Sequence, residues 1–96
     1  MIEGINKAFE SRVRLGIMSA LMVNDWLDFN AMKSLLDVTD GNLSSHISAL
    51  EKLKFIDVRK EFVGKRPKTS YRVTPLGKRS FSDHLNALEK LLNGLT

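Results

Sequence analysis

The sequence predicts a small, mainly α domain carrying one β-hairpin, an α+β fold. Three observations predict it. Apolar residues recur at helical spacing in several separate segments. Two runs rich in β-branched and aromatic residues flank the turn-forming stretch "GKRPK". A chain of 96 residues that is 43% hydrophobic can build one core and no more.

Ile2, Ile5 and Phe9 are spaced for a short helical turn. A longer helix is expected from about Ser11 to Val23. Val13, Ile17, Ala20 and Leu21 line one face of it, and Leu15, Met18 and Met22 broaden that face. A helix apolar over most of its circumference is buried on several sides. "WLDF", Trp26 to Phe29, alternates weakly and predicts a short strand. Asn30 is a suitable N-cap for a second helix, Ala31 to about Leu36, with Met32, Leu35 and Leu36 inward.

"DVTDG" breaks the chain, and Thr39 caps a third helix, with Asp40 at the positive end of its dipole. Leu43, Ile47, Leu50 and Leu53 form the apolar stripe of this helix. Gly41, Ser44, Ser45, Ser48 and Lys52 form its opposite face, flanked by Asn42 and His46. "FIDVRKEFV", Phe55 to Val63, reads as a strand with Ile56, Val58 and Phe62 inward. Gly64 to Lys68 reads as the turn and Thr69 to Val73 as the returning strand. Thr74 followed by Pro75 opens the last helix, which carries Phe81, Leu85, Leu88 and Leu92. Two helices joined by a tight turn, with a hairpin after the second, make a winged helix-turn-helix. With no repeat or linker in sight, residues 1–96 read as one domain.

The net charge of +4 is unevenly spread. Arg59 to Ser80 carries Arg59, Lys60, Lys65, Arg66, Lys68, Arg72, Lys78 and Arg79 against Glu61 alone, a local +7. Every other stretch is slightly acidic. A concentrated basic stripe is the electrostatic footprint of a phosphate-rich partner. A solvating surface usually mixes signs instead.

Several function classes are disfavoured. No cysteine is present, which excludes disulfides and thiolate metal sites and suits a cytoplasmic location. His46 and His84 are too few for a metal centre, and His84 reads as a surface residue; no cofactor is implied. Ser44, Ser45 and His46 are neighbours, but adjacent helical residues do not face one another, and no G-x-S-x-G elbow exists. An enzyme is therefore not expected. Arg12 and Arg14 before "LGIMSALMV" imitate a signal peptide, yet acidic Glu3 and Glu10 and the following "NDW" argue for a buried helix. The run is too short to span a membrane.

The segments "SRVRLGIMSAL", "DFNAMKSLLDVTDGNLSSHISALEK", "GKRPKTSYRVT" and "TPLGKRSF" together resemble winged-helix transcriptional regulators of the broad MarR/ArsR type, in their short, single-domain prokaryotic form. The resemblance covers roughly Ser11 to Leu92. It implies a homodimer on double-stranded operator DNA, with the helix matching Thr39–Leu53 in the major groove. The turn matching Gly64–Lys68 then reaches the backbone or minor groove. Carried over, the candidate DNA-binding residues are Thr39, Asn42, Ser44, Ser45, His46, Ser48, Lys52, Arg59, Lys65, Arg66, Lys68 and Arg72. The terminal helices would supply the dimer interface through Ile5, Phe9, Leu85, Leu88 and Leu92. Two-fold symmetry implies a roughly palindromic operator with half-sites about one helical turn apart.

Two departures from the family pattern stand out. Arginine or glutamine, common near Ser45, is missing, so the third helix has no bidentate base reader there. Lys54 stands where a glycine usually follows that helix, at an expected strain of about 1 kcal/mol if left-handed. The competing reading is a winged-helix module that binds protein, whose marker would be an apolar patch on the third helix or hairpin.

Overall fold

A computed structural model describes residues 4–94. A 3-10 turn at Lys7–Phe9 leads into α1 (Arg12–Val23), β1 (Leu27–Asp28), α2 (Phe29–Leu36), α3 (Asp40–Lys52), β2 (Ile56–Val63), β3 (Arg66–Val73) and α4 (Pro75–Gly94). The strands form one antiparallel sheet in the order β1-β3-β2. This is the mainly α fold with a winged helix-turn-helix that the sequence predicts. Ile2 lies outside the described residues.

Local chemistry sets the helix starts. The Ser11 hydroxyl accepts from the Val13 and Arg14 N–H groups and caps α1. Asp28, rather than Asn30, caps α2: its carboxylate accepts from the Ala31 N–H at 2.7 Å, so the helix begins two residues earlier than expected and shortens the "WLDF" strand to Leu27–Asp28. An ionised carboxylate at the cap gains from the helix dipole where the Asn30 amide would not. Thr39 caps α3 through the Asn42 N–H at 3.2 Å.

The turn out of α3 decides where the hairpin points. Lys54 takes the left-handed conformation, φ +66°. The Lys54 N–H donates to the Glu51 carbonyl and the Phe55 N–H to the Leu50 carbonyl, the pairing of a Schellman cap. Leu50 and Phe55, the two positions that meet in such a cap, are both buried. Thr74 then ties three elements together. Its hydroxyl donates to the Lys54 carbonyl at 2.7 Å and accepts from the Gly77 N–H at 2.9 Å, while its own N–H donates to the Phe55 carbonyl. Gly77 is required here, since a Cβ would stand 2.1 Å from the Phe55 oxygen.

One core joins all of this: Phe9, Ile17, Met18, Leu21, Met32, Leu43, Ile47, Leu50, Phe55, Ile56, Tyr71, Val73 and Phe81. Phe9 sits at its end, with ring centroids 5.3 Å from Phe55, 5.2 Å from Phe81 and 5.3 Å from His84. His84, expected on the surface, is only 3% exposed, because its Nδ1 accepts the Asn6 N–H at 2.9 Å and its ring packs on Phe9. Burial pushes the pKa of the Tyr71 hydroxyl above its ordinary value, and the nearby Glu51 charge adds to the effect.

Four further expectations are corrected. Leu35 and Leu53 are exposed: α2 is too short to bury a broad stripe, and Leu53 is the C-cap of α3. Phe62 is not inward but 75% exposed, because the hairpin outruns the helices that cover its base. The turn is only Gly64–Lys65, with Val63 paired to Arg66, so Arg66, Pro67 and Lys68 are strand residues. Gly64 has φ +65° at the first central position, where a type II′ hairpin turn calls for glycine.

Candidate nucleic-acid interface

α3 is anchored by Leu43, Ile47 and Leu50, all buried. That orientation leaves Asn42, Ser44, Ser45, Ser48 and Lys52 exposed on the other side. Thr39 is exposed at the start of the same helix, its oxygen engaged as the cap. Asp40 is neutralised by Lys33, whose Nζ lies 2.7 Å away. The outer face of α3 therefore begins without a net negative charge to repel phosphate.

His46 is half-buried at the flank of this face, and its Nδ1 accepts from the Arg14 Nε–H at 3.0 Å. Arg14 is held from behind, donating through Nη1 to the Ala8 carbonyl at 3.4 Å. An imidazole that accepts at Nδ1 carries its proton at Nε2, so His46 is set up as a donor. Arg14 is a positioning residue that sequence reading missed. It stood out only as a charge before an apolar run, and nothing in its spacing pairs it with a histidine 32 positions later.

The strand register fixes the face that each hairpin residue occupies. Side chains alternate along a strand, and directly paired residues share a face. Ile56 and Val58 point to the core, with Val73 and Tyr71 opposite them. Lys60 and Phe62 continue that face outward, with Thr69 and Pro67 opposite. A concave surface lies between the hairpin and the helices, lined by Asn30, Ser44, Lys60, Pro67, Lys68 and Thr69 among others. Ser44 of α3 and residues of the inner face of the hairpin thus look into one cleft.

Arg59 and Arg72 lie on the outer face, which Arg66 and Lys68 share further along β3. Their guanidinium carbons stack on Trp26, 4.2 Å and 4.8 Å from the ring centroid. Arg59 Nε is also 3.6 Å from Glu61, and Arg72 Nε donates to Asp57 at 3.4 Å. Trp26 had no role in the sequence reading; its place beside the sheet follows from the pairing of Leu27 with Tyr71. By contrast Lys60, Lys65, Arg66 and Lys68 are exposed and form no ion pair among the described residues. The six cations of the hairpin are thus divided into two with acidic and aromatic partners and four without an ion pair among the described residues.

The expected interface residues also separate. Phe9 is fully buried within the chain and has no surface to offer a partner. Ile5 is half-buried, and the segment leading to it lies along α4, where a Cβ at Gly4 would be 3.2 Å from Ala87. Leu88 is half-buried, while Leu85 and Leu92 are 44% and 65% exposed. No group of three or more potential metal ligands occurs among the described residues. None of their helices is long and apolar enough to cross a membrane.

A helix-turn-helix backed by a three-stranded sheet, with a cationic hairpin beside its second helix, defines a winged-helix protein of the DNA-binding class. Residues 13–92 match the winged helix DNA-binding domain family, and the chain belongs to it. An uncharacterized protein of Methanocaldococcus jannaschii is 33% identical over 85 residues, covering 88% of this chain and 92% of the relative. The solved structure of a transcriptional regulator homologue from Pyrococcus horikoshii is 33% identical, with a TM-score of 0.84 over 92% of this chain and 87% of that one. A MarR-family transcriptional regulator from Silicibacter pomeroyi shares the fold at 20% identity, with a TM-score of 0.59 over 90% of this chain and 60% of that one. The resemblance to winged-helix regulators expected from the sequence holds.

Proposed function

We propose that this chain is a sequence-specific double-stranded DNA-binding regulator that acts as a homodimer in the cytoplasm. α3 enters the major groove, presenting Asn42, Ser44, Ser45 and Ser48 to base edges and His46 Nε2–H to an acceptor at the groove wall. Lys60, Lys65, Arg66 and Lys68 hold the adjacent backbone. Arg59 and Arg72, already paired, contribute mainly to the general positive field. Leu85, Leu88 and Leu92 meet a second copy, which places the two reading helices on a roughly palindromic operator.

The observation that carries this reading is the shared cleft. Ser44 of α3 and the unpaired Lys60 and Lys68 of the hairpin line the same concave surface. Small side chains allow close approach to a groove, and cations without partners gain most from phosphate. Selection from random duplex DNA tests it, followed by fluorescence-anisotropy titration on the enriched sequence. Enrichment of a two-fold related motif is the expected result. Binding of all duplexes with equal affinity would remove the sequence-specific part.

The protein-binding alternative calls for an apolar patch on α3 or the hairpin. Phe62 and Val63 are exposed at the hairpin end, but as neighbours on a strand they point to opposite faces and form no patch.

A further inference from the structure

Phe62 is unexplained by the fold. It is 75% exposed on the cleft-facing side of the hairpin, one step beyond Lys60 and directly opposite Pro67. It is no part of the hydrophobic core and packs against none of it. Its surroundings identify what it meets. Lys60 precedes it on the same face, and the unpaired Lys65, Arg66 and Lys68 occupy the adjoining turn and the opposite face of the returning strand, while the nearby Glu61 is drawn to Arg59. An apolar side chain at a hairpin end rich in unpaired cations fits a polyanion that also offers apolar surface. Duplex DNA does so at the stacked faces of its bases, reached when a step is opened from the minor groove.

We infer that Phe62, braced by Pro67, is a wedge that enters a base step beside the helix-reading site and kinks the duplex there. The inference rests on the DNA-binding reading above and deepens it. Pro67 suits the role twice over. Its ring adds apolar surface beside Phe62, and its fixed φ stiffens the strand at the hairpin end. Arg66 and Lys65 hold the phosphates that flank the opened step. Flexible pyrimidine–purine steps open at least cost, so the wedge adds a preference for such a step at a position α3 does not touch. This supplies selectivity to a reading helix that lacks arginine and glutamine.

The test uses the full chain and an end-labelled duplex of the selected sequence, with the bend read by fluorescence energy transfer between the ends. Wild type should bend the duplex by about 20–90°, the range of known wedges. Phe62→Ala should still bind, leave the duplex close to straight, and lose the preference for a pyrimidine–purine step. Phe62→Leu, which keeps an apolar wedge, should retain the bend. Because Phe62 is exposed, each variant should keep the wild-type circular dichroism. Equal bending by wild type and Phe62→Ala, or tight binding by wild type to a straight duplex, would overturn the wedge and leave the DNA-binding reading intact. No binding of any duplex by wild type would remove both. A change of sedimentation in Phe62→Ala would assign the residue to a protein contact and also overturn the wedge.

Discussion

Charge removal on the hairpin should affect DNA binding very unequally, although the residues concerned belong to one basic run. Arg66 forms no ion pair among the described residues, whereas Arg59 faces Glu61 at 3.6 Å and stacks on Trp26. Each cation that neutralises a phosphate adds about 0.9 to the slope of log affinity against log salt. Between about 50 and 200 mM salt, log salt changes by about 0.6, so each contact costs about 3.5-fold in affinity over that interval. Four free cations in a protomer give a slope near −3.6, and a dimer near −7. Arg66→Ala removes one contact from each half, so its slope should flatten by about 2 in the dimer. Arg59→Ala should flatten it by clearly less, because Glu61 and Trp26 already hold that guanidinium. The assay is anisotropy titration of a labelled duplex at several salt concentrations. Equal flattening by the two variants would refute the division of the hairpin cations into partnered and unpartnered groups.

Other outcomes follow from particular contacts. Asn42→Ala or Ser45→Ala should change the motif recovered from random DNA more than it changes affinity for unrelated DNA; identical motifs would count against α3 as the reading helix. Leu88→Asp should give monomers in sedimentation, whereas a monomeric wild type would dismiss the leucine seam. Lys54→Gly should raise stability by up to about 1 kcal/mol, since glycine relieves the left-handed strain at the cost of chain entropy, as measured by urea unfolding. Gly77→Ala should lower the melting temperature, with a loss of about 1–3 kcal/mol, because its methyl group meets the Phe55 carbonyl and no side-chain rotation can avoid it.

Much of the fold was legible because its signals are local. Thr39 and Thr74 each cap the helix expected of them. The stripe of Leu43, Ile47 and Leu50 faces the core as its spacing requires. Where reading failed, the deciding contact came from elsewhere in the chain. Phe62 fits the alternation of an inward strand residue, but the helices end before they reach it. His84 looks like any histidine on a polar helix face until the Asn6 N–H and the Phe9 ring close over it. Asp28 and Asn30 are both good caps by type, and the choice fell to the charged one.

The candidate interface divides in the same way. By itself, the sequence determined that the basic charge is concentrated in one segment, that the outward face of the third helix is small and nearly uncharged, and that these two belong to a winged helix-turn-helix. Charge totals and helical periodicity are properties of neighbouring residues, so they survive without coordinates. Only the tertiary structure decided which cations are free. Strand register placed Arg59 and Arg72 over Trp26 and beside acidic partners, and placed Lys60 in the cleft with Ser44. It also paired Arg14 with His46 across 32 positions. Each of these depends on where one element lies against another, and that position is set by the packing of the whole core.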